Sequence, residues 1–168
     1  MKSFEIEQKY RVGNSAKVRQ LLKKLGARKI AAGVERNEFF DRNGFLSKKK
    51  TALRLRRFGK QATLTLKGPR LVSLFTKRRE IEAAVDYEPI KTILLLSGFR
   101  VLQSYTKRRE SYSLGPALVT LDHLSKFGGF LEIEGRAGVI RVIEKRLGLS
   151  AKDREERSYL QMLFGWKH

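Results

Sequence analysis

The chain has 168 residues, 41 % hydrophobic and 10 % aromatic, which is enough for the core of one folded domain and excludes a wholly disordered chain. It has no cysteine, which excludes disulfide frameworks and thiolate metal sites and fits a reducing, cytoplasmic setting. Thirty-seven Lys and Arg against 17 Asp and Glu give a net charge of +20, a balance that attracts polyanions: nucleic acid, an anionic membrane or a phosphate-rich small molecule.

The first residues are charged from the second position and carry no apolar leader run, and the longest aliphatic run, 93–96, is too short to span a bilayer. Residues 3–11 alternate with period two, Phe4, Ile6 and Gln8 on one face and Glu5, Glu7 and Lys9 on the other, and predict a strand. Asn14 and Ser15 can cap a helix to about Leu25, with Val18, Leu21, Leu22 and Leu25 apolar and Gly26 as its stop. Strands are expected over 28–41, 51–58 and 61–68, the last two forming a hairpin at Gly59-Lys60, and Gly68-Pro69 ends the unit. A strand over 76–85 precedes a helix opened by Pro89 and stopped by Gly98. Strands follow over 99–112, 117–124 and 129–137, the first pair turning at Gly115-Pro116. Two helices, 138–148 and 153–164, finish the chain, with Phe164 and Trp166 packing the last one down.

Both halves thus read strand, helix, strand, strand, strand, a weak internal repeat. Eight strands in two similar halves fit a single domain over 1–168: an α+β chain dominated by β, folded as a closed antiparallel barrel with flanking helices. Closure removes exposed edges, and eight strands leave an interior filled by side chains or holding one small ligand.

Charged residues recur two apart on strand after strand: Glu5, Glu7 and Lys9; Arg54 and Arg56; Arg78, Glu80 and Glu82; Lys107 and Arg109; Glu132 and Glu134. Lys67 and Asp122 add to them. Each set projects to one side of its strand. Solvated faces of amphipathic strands explain any one set. They explain the whole series poorly, because the opposite faces are apolar and can pack outward under helices, leaving the charges to line the lumen. Seven acids and seven bases make that lining neutral, and paired or ligand-neutralised charges tolerate burial. Arg forks and Lys ammonium groups suit phosphate, and clustered carboxylates suit the hard cations Mg²⁺ or Mn²⁺. Thirty bases against ten acids remain outside the lining, so the basic exterior is a candidate for nucleic-acid contact.

In sequence order, Glu5-Ile6-Glu7-Gln8-Lys9, Phe39-Phe40-Asp41, Ala52-Leu53-Arg54-Leu55-Arg56, Leu66-Lys67-Gly68-Pro69, Arg78-Arg79-Glu80-Ile81-Glu82, Lys107-Arg108-Arg109, Leu121-Asp122 and Phe130-Leu131-Glu132-Ile133-Glu134 resemble the CYTH domain of the triphosphate tunnel metalloenzymes. The tail Glu156-Arg157-Ser158-Tyr159-Leu160 is similar to the small class IV adenylate cyclase-like members. The resemblance implies an eight-stranded tunnel, a triphosphate substrate, and either hydrolysis or cyclisation of ATP. It implies metal binding by Glu5, Glu7, Glu132 and Glu134, with Asp122 also on the metal side and Glu80 and Glu82 assisting catalysis. It gives phosphate binding to Arg54, Arg56, Lys67, Arg78, Lys107 and Arg109, and sets Lys9 near the reacting phosphoryl group. Residues 70–75, Arg-Leu-Val-Ser-Leu-Phe, are more apolar than expected of that loop.

Two other readings stay open: a catalytically silent polyphosphate-binding protein, and a nucleic-acid-binding module. Residues 126–131 faintly match an RNA-binding stretch, but Glu132 and Glu134 follow at once and repel phosphate. The chain has no Walker A loop and no GxGxxG. Its two histidines, His123 and His168, make neither a histidine-rich metal site nor a triad. Tyr105 and Tyr112 flank the Lys107 strand and are read as packing residues, with base stacking as the alternative.

Overall fold

The computed structural model describes residues 4–165, so the expectations for Trp166 and His168 lie outside the described residues. In chain order the elements are β1 (Glu5–Val12), α1 (Ser15–Lys24), β2 (Arg28–Asp41), α2 (Phe45–Lys48), β3 (Ala52–Phe58), β4 (Gln61–Leu71) and β5 (Thr76–Val85). Then come α3 (Tyr87–Leu96), β6 (Arg100–Leu114), β7 (Ala117–Leu124), β8 (Gly128–Glu134), α4 (Ala137–Arg146), a single 3-10 turn at Ala151–Asp153, and α5 (Tyr159–Phe164).

The eight strands close into one antiparallel barrel in the order β1-β5-β4-β3-β2-β6-β7-β8. Exchanging the first four strands for the last four regenerates the same ring read in the opposite sense, so the repeat seen in the sequence is a repeat of topology. The turn residues match the hairpins: Gly59 and Gly115 both take positive φ, 61° and 55°, between β3 and β4 and between β6 and β7.

The apolar faces of the strands point outward. Val18, Leu21 and Leu22 of α1 and Ile140 and Ile143 of α4 cover Ile6, Tyr10, Val119, Leu121, Leu131 and Ile133. On another sector, Tyr87, Ile90 and Leu94 of α3 cover Phe40, Leu53, Leu55 and Leu64. Helices therefore bury the outside of the barrel, and alternation turns the charged residues in. At one end Tyr159 and Met162 of α5 pack against Leu124 and Phe130, and alternation puts Phe130 on the same inner face as Glu132.

Three local expectations are corrected. Gly68-Pro69 does not end its strand: β4 continues to Leu71 through a register shift between Lys67 and Arg70, the kind of irregularity that accommodates a residue without an N–H. The last helix starts at Tyr159, not 153, because the preceding segment is extended along β1. Arg154 bridges to Tyr10, the Glu155 N–H donates to the Lys9 carbonyl at 2.9 Å, and Ser158 then caps α5. Helix α2 was not expected. The Asp41 carboxylate creates it by accepting from the backbone N–H groups of Arg42, Leu46 and Ser47 at 2.6–3.0 Å.

Candidate functional site

The lumen is a cavity of about 290 Å³, near the lower end of small-molecule sites, roughly 300–1,000 Å³. Glu5, Glu7 and Lys9 of β1, Arg54 and Arg56 of β3, Lys67 of β4, Arg78 of β5, Lys107 and Arg109 of β6, and Glu132 and Glu134 of β8 all line it. Residues scattered over 130 positions of sequence meet because each strand turns its charged face to the barrel axis.

Glu80, Glu82 and Asp122 stand behind that lining and orient it. Glu80 accepts from Arg78 Nε at 2.7 Å and from Lys67 Nζ. Glu82 accepts from Arg56 at 3.2 Å and from the Thr65 hydroxyl at 2.8 Å. Asp122 is fully buried. Its two oxygens accept from Lys107 Nζ at 2.8 Å, Arg109 Nε and Nη2 at 2.7 and 2.6 Å, and the Tyr159 hydroxyl at 2.8 Å. Arg109 Nη2 also donates to Glu132 at 2.6 Å.

The buried wall sorts the acids into two kinds. Burial alone would raise the Glu132 carboxyl, but Lys107, Arg109 and Lys9 outweigh it and hold the group well below the usual range. Glu80 is held at about 2 against its own burial by hydrogen bonding with Glu5 and by the charges of Lys67 and Arg78. Glu5 goes the other way, pushed up to about 9 by burial and then by the neighbouring Glu7 charge. Burial also lowers Lys67 to about 8, with Arg54 and Arg78 adding to the effect.

A divalent cation fits this donor set. Glu5 Oε2 is buried with no hydrogen-bond partner. Glu7 lies directly opposite Glu134 across the β1–β8 ladder, and both line the cavity, a like-charge pairing that destabilises a sheet unless a cation offsets it. The ligands are all oxygen, as a hard cation prefers. Among the described residues no three acidic or histidine side chains converge tightly enough to hold a metal as they stand. Several of them are instead engaged by bases, such as Arg78 with Glu7 at 3.4 Å and Lys9 with Glu132 at 3.6 Å.

Four contributors were given no place in the site by the sequence reasoning, although the 70–75 segment and the 156–160 tail were singled out. Glu35, 1 % exposed, lies 3.4 Å from both Lys107 and Arg109 and accepts from Asn37 at 2.9 Å. Its signal was the period-two series Glu35, Asn37, Phe39. Tyr159 places its ring under Lys9 at 4.0 Å and Lys107 at 4.5 Å. Arg70 lines the cavity and donates to the Glu156 carbonyl at 2.6 Å, so the unusual 70–75 segment helps shape the mouth. Beyond Arg70, Leu71, Val72 and Leu74 are exposed while Phe75 joins the core. The tail itself is the fourth: the Arg157 carbonyl accepts from Lys9 Nζ at 2.9 Å. Tyr105 also faces the cavity, stacked on Phe39 at 6.0 Å between centroids, whereas Tyr112 donates to Glu110 at 2.6 Å. His123 is exposed.

A closed barrel whose lumen is walled by acidic and basic side chains defines a tunnel protein. The chain belongs to the CYTH domain family, whose model matches residues 3–159. It is similar to a protein of Methanocaldococcus jannaschii provisionally named an adenylate cyclase, 29 % identical over 95 % of this chain and 98 % of that one. Among solved structures it resembles a provisionally named adenylate cyclase from Vibrio parahaemolyticus, with TM-score 0.86, 25 % identity and coverage of 97 % and 99 %. It also resembles a Pyrococcus horikoshii protein, with TM-score 0.80, 27 % identity and coverage of 94 % and 98 %. A Hippeastrum protein described as having a dominant triphosphatase activity shares the fold at TM-score 0.73, 21 % identity and coverage of 98 % and 97 %. Among the described residues no helix is long and apolar enough to cross a membrane.

Proposed function

We propose that this chain is an enzyme that binds a triphosphate in its tunnel and, with Mg²⁺ or Mn²⁺, cleaves a phosphoanhydride bond. One observation carries this reading: Arg54, Arg56, Lys67, Arg78, Lys107 and Arg109 share a single enclosed cavity with the carboxylates of β1 and β8. The bases supply bidentate and point-charge contacts to phosphate oxygens. Bound by Glu5, Glu7, Glu132 and Glu134, a divalent cation would neutralise phosphate charge and favour a nucleophilic oxygen.

The chain's own groups do the rest. Asp122 and Glu35 hold Lys107 and Arg109 in place, and Glu80 and Glu82 hold Lys67, Arg78 and Arg56. These preset donors stabilise charge that develops on the transferring phosphoryl oxygens, with no reorganisation at the moment of reaction. Lys9, fixed by the Arg157 carbonyl, Glu132 and the Tyr159 ring, orients the attacking water. Water oxygen bonds to phosphorus and gives up a proton to a phosphate oxygen, the bridging P–O bond breaks, and its electron pair leaves on the departing phosphate. The cytoplasm is the setting we propose, in keeping with a chain that has no cysteine.

Cyclisation of ATP is the second reading, favoured by the names of the Methanocaldococcus and Vibrio relatives. There the ribose 3′-hydroxyl replaces water and pyrophosphate leaves. The test is a panel of inorganic triphosphate, thiamine triphosphate and ATP with Mg²⁺ or Mn²⁺, scored for phosphate, pyrophosphate and cyclic AMP, with Glu5→Gln and Arg54→Ala beside the unaltered protein. Phosphate release lost in both variants supports hydrolysis. Cyclic AMP with pyrophosphate supports cyclisation. Metal-dependent binding of triphosphate without turnover of any substrate sinks the enzyme reading and leaves a binding protein.

A further inference from the structure

Counted with Glu35, Glu80, Glu82 and Asp122 behind it, the tunnel wall is close to neutral, so most of the +20 charge resides elsewhere. One part of it is organised. The outer face of β2 and β6 has two anchored ends. At one, Glu38 accepts from Tyr87 and Lys91 of α3, both at 2.7 Å. At the other, Glu110 is held by Arg19 of α1 and by Lys29, both at 2.9 Å. Between these anchors Val34, Arg36, Ser104, Thr106 and Arg108 are exposed.

The cations there lie on three adjacent strands, β3, β2 and β6. Arg57 of β3 is the register partner of Arg36 on β2. Arg36 lies opposite Thr106 on β6. Arg108 follows two residues on and faces His123 of β7. Neighbouring strands are ~4.8 Å apart, so Arg57 and Arg36 are near neighbours, and Arg108 lies one strand over and two residues along. Arg36 and Arg57 are like charges set directly opposite, an arrangement that costs stability unless anions offset it. Among the described residues neither Arg36 nor Arg108 makes an ion pair. The two carboxylates that bound the strip are already engaged, and the acid nearest Arg57, Glu88, is exposed at 4.0 Å.

Shape selects among polyanions. Arg36, Arg57, Tyr87, Lys91, Ser104 and Thr106 line a groove together with Glu38, which Tyr87 and Lys91 already engage, and the exposed Glu88, and the Tyr87 ring lies beneath Arg57 at 5.4 Å and Lys91 at 5.7 Å. Cations, hydroxyls and an aromatic face along a groove suit a flexible phosphodiester strand with bases free to stack. A bilayer surface wants a protruding apolar wedge ringed by charge, and this strip is recessed. We propose that the outer face of β2 and β6 is a contact surface for single-stranded nucleic acid, separate from the tunnel and read through its backbone.

The test is fluorescence anisotropy of a labelled 20-nucleotide oligouridylate with the full chain, titrated at several salt concentrations. Arg36→Glu with Arg108→Glu should weaken binding at least tenfold. It should also flatten the plot of log K against log salt by about 1.4, at ~0.7 per lost phosphate contact on a single strand. Lys23→Glu with Lys24→Glu, the same change of charge at the end of α1, should stay within threefold. Tripolyphosphate affinity and Tm of the Arg36/Arg108 variant report that the barrel is intact. Equal losses in the two double variants would overturn the proposal in favour of diffuse charge attraction. So would an oligouridylate that does not bind while phosphatidylserine vesicles bind through Arg36 and Arg108.

Discussion

Asp122 shows how much one side chain does in this wall. It is buried, and three donor groups converge on its carboxylate. Asp122→Ala would leave Lys107 and Arg109 with a deficit of negative charge in the interior. We expect a loss of about 3–5 kcal/mol, the usual cost of stripping one partner from a buried ion pair, read by urea unfolding. Glu110 gives a pH-dependent counterpart on the surface. Its carboxyl is held at about 2, first by hydrogen bonding from Arg19, then with help from Tyr112 and Lys29 against burial. A depressed carboxyl stabilises the fold fully above its unfolded value near 4.5 and loses that contribution as pH falls toward 2. Glu110→Gln should therefore lower Tm by about 2 °C at pH 7, and the gap should close by pH 2. A gap that persists there would mean the effect is one of packing. At this scale the inward placement of Glu5, Glu7, Arg54, Arg56, Lys107 and Arg109 was legible because charge recurs on one face of strand after strand while the opposite faces are apolar. Glu35 was not, because it is one acid followed by a base, and only the ladder to β6 puts it against Lys107.

Two elements carry their own tests. The tail from Arg154 to α5 is strapped to β1 through Glu155, which accepts from Arg11 and Arg157 and lies against the end of the barrel near Lys9. Glu155→Gln would remove the charge from that clasp. We expect a loss of about 2 kcal/mol, and faster hydrogen exchange confined to the residues from 154 to 164. Exchange unchanged there would mean the strap is held by Tyr159 packing alone. The second element is the start of β8. Gly128 takes φ +82°, and a Cβ on Gly129 would meet the Val12 carbonyl at 2.8 Å and Ser15 Oγ at 3.0 Å. Gly129→Ala should cost about 1–3 kcal/mol by forcing β1 and β8 apart, with triphosphate affinity falling in parallel because Glu132 and Lys9 sit on those strands. The glycines that faintly matched an RNA-binding motif are thus accounted for by a close strand approach. Strand and helix positions were legible from period and stop residues. The start of α5 was not, since the bridge from Arg154 to Tyr10 joins residues far apart in sequence.

For the whole molecule, the lumen holds strong charges of both signs at short range, and a ligand that offsets the bases should stabilise the entire barrel. Tripolyphosphate at a hundredfold excess over its Kd should raise stability by about 2.7 kcal/mol, measured by thermal unfolding with and without Mg²⁺. Arg54→Ala should reduce that gain without abolishing folding. No change in Tm in the unaltered protein would count against the tunnel as a polyphosphate site. The ring order explains why the acids and bases meet at all. Closure sets β1 beside both β5 and β8, so Glu5 faces Arg78 on one side while Glu7 faces Glu134 and Lys9 faces Glu132 on the other.

By itself the sequence determined the inventory: eight alternating strands, their turns, a two-part order, and which face of each strand is charged. Those follow from local rules, because side-chain direction in a strand depends only on parity. Only the tertiary structure decided who pairs with whom. Glu35 with Lys107 and Arg109, Tyr159 beneath Lys9, and the tail strapped along β1 all depend on ladder register and on a chain end folding back. The energies that choose those contacts act across space between residues up to 151 positions apart, where a one-dimensional pattern carries no distance.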